Sequence, residues 1–132
     1  MSYASAAALQ TAIFELLSTD PELATVPVVD ALPAGGGTGT FILIGPEEAR
    51  DASDKSGAGA DHRVLISVIS DASGFLSAKT AAARVSEALV DAEPELSTGR
   101  VVSFRFLRGN ARRLDEGGVR RIDLTFNVRI EI

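Results

Sequence analysis

The 132-residue chain contains no cysteine and no tryptophan, and only one tyrosine and one histidine. Without cysteine there can be no disulfide framework, thiol nucleophile or thiolate metal site. The lone histidine, His62, cannot build a site with a second imidazole. Asp61 is its nearest possible helper, and a surface or packing role is the simpler reading. Aromatic residues make up 5% of the chain, so a core must come from Ala, Val, Ile, Leu and six Phe. No apolar run approaches the roughly 20 residues needed to cross a bilayer. The start, Met1-Ser2-Tyr3-Ala4-Ser5, lacks the basic region of a signal peptide. A soluble protein made and used inside a cell is expected, with no membrane partner.

Catalytic patterns are also missing. There is no Gly-x-Ser-x-Gly elbow and no Ser-x-x-Lys pair. Gly35-Gly36-Gly37-Thr38-Gly39 lacks the Lys-Ser/Thr ending of a phosphate loop and leads into a strand rather than a helix. Gly57-Ala58-Gly59 lacks the third glycine of a dinucleotide turn. Asp51 to Ser56 resembles a calcium loop only superficially, with Lys55 and Ser56 where a ligand and a glycine belong. The adjacent acids Glu47 and Glu48 read as solvated. No catalytic, cofactor-binding or metal-binding residue is assigned, and no enzyme activity or cofactor is expected.

What is present is one domain's worth of chain, residues 1–132, able to bury about two-thirds of its unfolded surface. Its charge is polarised. The formal net charge is −5, but residues 1–99 carry −9 and residues 100–132 carry +4. Opposite signs at two places on one subunit suit head-to-tail association, because charge complementarity sets orientation and partner choice.

Hydrophobic spacing predicts a helix over 6–18, with Ala6, Leu9, Ile13, Leu16 and Leu17 on one face, stopped at Asp20-Pro21. Val26 to Asp30 is a short edge strand at best, because of Pro27. Thr40 to Ile44 is a strand closed by Gly45-Pro46. Residues 47–61 then read as a long acidic loop carrying Glu47, Glu48, Asp51, Asp54 and Asp61. With few apolar anchors, that loop is expected to be mobile in the free subunit. Arg63 to Ser70 is a strand covered on both faces. A second helix spans 74–91, capped by Ser73.

The last third alternates most clearly. Val102, Phe104 and Phe106 point one way, and Ile122, Leu124, Phe126, Val128, Ile130 and Ile132 form a second buried row. The two strands should pair antiparallel through a turn-rich stretch, Arg108 to Gly118. The expected fold is α+β, a mostly antiparallel sheet of four or five strands with two helices packed on one face. Arg108, Arg112, Arg113, Arg120 and Arg121 gather around the hairpin turn. With the acids Glu47, Glu48, Asp51, Asp54 and Asp61, the first four form the candidate subunit or partner interface. Guanidinium forks fit phosphate and carboxylate alike, so a nucleic-acid-binding module using this hairpin stays open. A small ligand-binding or hydrolase domain is a further alternative.

The order of segments resembles the tail-terminator or tail-completion proteins of long-tailed phages and gene transfer agents. The likeness runs through Ala8-Leu9-Gln10-Thr11-Ala12-Ile13-Phe14-Glu15-Leu16-Leu17, Asp20-Pro21-Glu22-Leu23 and Asp30-Ala31-Leu32-Pro33. It continues through Phe41-Ile42-Leu43-Ile44-Gly45, His62 to Val68 and Ala78-Lys79. The most specific piece is Gly118-Val119-Arg120-Arg121-Ile122-Asp123-Leu124-Thr125-Phe126. Where relatives of that family carry an aromatic after Ser67-Val68, this chain has Ile69. The resemblance implies a structural protein of the virion that assembles with itself into a ring, commonly of six. Its implied partners are the tail-tube protein and a head-side connector or stopper. DNA would pass through the lumen without sequence-specific binding.

Overall fold

The computed structural model describes residues 3–55, 57–73, 75–114 and 118–132. Helix α1, Ala6–Ser18, lies within the predicted bounds and buries Ala6, Leu9, Ala12, Ile13 and Leu17. Asp20 ends it by accepting a hydrogen bond from the Glu22 amide at 2.9 Å, which starts a single 3-10 turn at Pro21–Leu23. Strand β1 is only Val28–Val29, followed after the 30–39 connection by β2, Thr40–Asp51, and β3, Gly59–Ser70. Helix α2 covers Leu76–Leu89, and the chain closes with β4, Arg100–Leu114, and β5, Val119–Glu131.

The strands form one sheet in the order β1-β2-β3-β5-β4. Only β1 runs parallel to its neighbour, and the other pairings are antiparallel. Both helices pack against one face, where Leu9, Ile13 and Leu17 of α1 and Ala78, Val85 and Leu89 of α2 meet Ile42, Ile66, Phe104, Phe126 and Val128. This is the expected α+β layering. A second, smaller cluster on the opposite face joins Phe41, Leu43 and Ile69. Ile69, the position that departs from the aromatic pattern, is therefore packed on the helix-free side.

Several sequence expectations are corrected. Residues 47–61 are not a long acidic loop: Glu47 to Asp51 continue β2, Gly59 to Asp61 begin β3, and a short turn joins them. Gly45-Pro46 does not close the strand. An irregularity between Ile44 and Glu47 shifts the register, and a bulge of this kind accommodates proline within a strand. Gly45 also lets the strands approach, since a β-carbon there would lie 3.0 Å from the Leu65 carbonyl oxygen. Likewise Arg108 to Leu114 belong to β4 rather than to a turn. The part of the predicted turn at 115–117 lies outside the described residues.

Two register shifts in β4, between Val101 and Ser103 and between Phe106 and Arg108, overturn its simple alternation. Val101 is buried with Phe104, whereas Val102 is 41% and Phe106 44% exposed. In β5, Ile122, Leu124, Phe126, Val128 and Ile130 are buried as expected, but the terminal Ile132 is exposed. Helix α2 starts after Phe75 with no side-chain cap, so Ser73 does not cap it. Its start is held instead by the Phe75 ring, which Lys79 and Arg120 approach at 5.6 and 5.4 Å.

Candidate assembly interface

Strand register separates the charged residues into two faces and two edges. Successive side chains of a strand point to opposite faces, and directly paired residues share one. Arg50, Arg63, Arg105, Arg108, Arg112, Arg121 and Arg129 therefore stand on the helix-free face, interleaved with Glu48, Asp61 and Asp123. Arg121 Nε donates to Asp123 Oδ1 at 2.8 Å and the Ser67 hydroxyl donates to the same oxygen at 2.6 Å. Arg112 lies 3.6 Å from the other Asp123 oxygen. Burial pushes the Asp123 carboxyl up, but the Ser67 and Arg121 hydrogen bonds outweigh it and hold the group below its ordinary value.

The candidate interface residues fall in different places. Arg108, Arg112 and Arg113 are exposed on β4, the strand at one edge of the sheet. Arg120, by contrast, is committed within its own chain, stacked on Phe75 and donating to the Ala72 carbonyl at 3.4 Å. Glu47 is committed too. It points to the helix side, where His62 Nδ1 lies 2.7 Å from its carboxylate. His62 is fully buried, and its Nε2 has no hydrogen-bond partner among the described residues. That histidine is a packed core group unable to reach a substrate. Glu48 and Asp51 are exposed on β2, and Asp51 accepts from the Ser53 hydroxyl at 2.8 Å. Asp54 pairs across the turn with Gly57, and Asp61 stands 3.9 Å from Arg129.

The remaining charged network is structural. Arg84 of α2 grips Asp20 through Nε and Nη2, the latter at 2.7 Å, and also reaches Glu22 and Glu87. This fork joins the segment after α1 to α2 and holds the Asp20 carboxyl below its usual range. It borders a surface hollow of about 690 Å³ that no histidine lines. Among the described residues there is no cluster of three metal-ligating side chains and no helix long and apolar enough to cross a membrane.

The family model for tail completion protein gp17 matches residues 11–131. The chain belongs to the tail completion protein gp17 family. Among solved structures it is similar to a chain of the "virion of native gene transfer agent (GTA) particle", with 52% identity and a TM-score of 0.91. That match covers 99% of this chain and 100% of the other. A comparison with curated proteins found no match. Membership makes this a structural protein of a phage-like tail.

Sequence reasoning missed Arg50, Arg63 and Arg105, which are exposed and make no ion pair among the described residues. The signal was available in the alternation: Arg105 precedes Phe106 and Arg63 precedes Val64. Reading 47–61 as a loop concealed the face on which Arg50 and Arg63 stand.

Proposed function

We propose that this family member is a tail terminator, a ring of six copies that caps the tail tube and joins it to the head-side connector or stopper. DNA passes through its lumen. The family match across nearly the whole chain carries this reading, supported by full-length likeness to a chain of a gene transfer agent virion. The polarised charge, −9 over residues 1–99 and +4 over 100–132, supports head-to-tail association. The same polarity argues against a nucleic-acid reader. The helix-free arginines alternate with Glu48, Asp61 and Asp123, whereas a DNA-binding surface gains affinity from uninterrupted positive charge.

Cells that make the particle without this chain should accumulate heads and tails that fail to join, and supplying the chain should restore them. Cryo-electron microscopy of complete particles should place it in a ring at the head-proximal end of the tail. Density at the distal end, or a single copy per particle, would refute the assignment.

A further inference from the structure

The sheet has two unfilled edges of opposite charge. On one side, β4 pairs with β5 and with no other strand among the described residues. Its segment Arg105–Arg113 is exposed throughout and carries Arg105, Arg108, Arg112 and Arg113 with no acid. On the other side, β1 covers only Ile42 and Leu43 of β2, so among the described residues the Glu47–Asp51 stretch has β3 on its inner side and no strand on its outer side. Glu48 and Asp51 are exposed there, with Arg50 as the one basic residue.

An unpaired strand edge offers a row of backbone donors and acceptors to any matching strand. We infer that neighbouring copies join through these edges, with β4 of one subunit pairing by its main chain to the Glu47–Asp51 stretch of β2 in the next. The inference rests on the ring reading and states how the ring is closed. Charge selects the partner. Two β4 edges would oppose arginine to arginine, and two β2 edges would oppose acid to acid, so only the unlike pairing is favourable. Unlike edges make a heterologous contact, the kind that closes into a ring when its rotation permits. The chain alternates direction across the sheet. A rotation about an axis along the strands therefore brings β4 and β2 together antiparallel. Phe106 and Leu107, 44% and 38% exposed in the single chain, lie on the edge such a neighbour would cover. Charged edges also guard isolated proteins against aggregation, and the test separates that role from pairing.

Two variants reverse one edge each: Arg105→Glu, Arg108→Glu, Arg112→Glu and Arg113→Glu together on β4, and Glu48→Arg with Asp51→Arg on β2. All six residues are exposed, so folding is checked by circular dichroism and melting. Assembly is read by sedimentation of purified chains and by the yield of tailed particles from cells making the other particle proteins. Each variant alone should lose assembly. An equal mixture should regain it, because every interface of an alternating ring of even number then has opposite charges. Hydrogen exchange on the wild-type assembly should show slowed amides within 105–113 that exchange freely in the single chain. Rings that form without that protection, or assembly by either variant alone, would overturn edge pairing and leave the ring reading standing. Loss of DNA retention by the β4 variant with normal assembly would assign the edge to DNA instead. A wild-type chain that never multimerises, purified or in particles, would sink both readings.

Discussion

Phe126 is the residue on which the two-layer packing turns. It is fully buried, and its ring meets Phe104 and Phe106 of β4 edge-to-face, each at 5.8 Å. Phe126→Ala should cost about 3–5 kcal/mol through lost contacts and the cavity left behind, measured by denaturant unfolding. Glu47 offers a polar counterpart. Its carboxylate is the partner of the buried His62 ring, whose other nitrogen already has none among the described residues. Glu47→Leu should therefore destabilise by about 1–3 kcal/mol, the cost of orphaning a buried polar group. A variant as stable as the wild type would show that the ring finds another partner.

Elements are shaped by irregularities that composition does not announce. The first register shift in β4 turns Val101 inward and Val102 outward. Val101→Ala should cost about 1.5–3 kcal/mol, and Val102→Ala much less. The reverse order of melting temperatures would remove the bulge from that position. The segment joining α1 to α2 gives a pH prediction. Arg84 lowers the Asp20 carboxyl below its ordinary value, so the folded chain binds this proton less readily than the unfolded chain. The resulting stability is present above the unfolded value of about 3.9 and is lost as pH falls through the lower folded value. Asp123 acts in the same direction. Asp20→Asn should lower stability at pH 7 and flatten the acid limb, seen by comparing melts at neutral and acidic pH. Parallel acid limbs in the two proteins would show that the fork contributes nothing to it.

At the scale of the molecule, the proposed pairing of β2 with β4 would make association salt-sensitive. Exposed pairs typically contribute about 0–1 kcal/mol each, so a single fold is little affected, while repetition around the proposed ring would multiply the deficit. Arg112→Glu with Arg113→Glu should leave the fold intact and block assembly. Wild-type assembly should weaken as salt rises past about 0.1 M, where the screening length is about 10 Å. Sedimentation across a salt series reads both, and an association indifferent to salt would contradict the electrostatic account.

Much of this was written locally. The period of α1 and the alternation of apolar residues from Ile122 to Ile130 follow from spacing, because helix and strand periodicities are properties of the backbone, and the edge placement of β1 follows from Pro27, which has no N–H to give a ladder. The charge asymmetry was also legible as a count. Tertiary structure decided the rest. Pairing with β3 drew the polar stretch Glu47–Asp51 into a strand, since backbone hydrogen bonding along an existing ladder does not require apolar side chains. The bulges in β2 and β4 reassigned which residues face inward, and contacts with His62 and Phe75 withdrew Glu47 and Arg120 into the subunit itself. Residue order supplied two charges of opposite sign, but only the strand order β1-β2-β3-β5-β4 set them on opposite edges of one sheet.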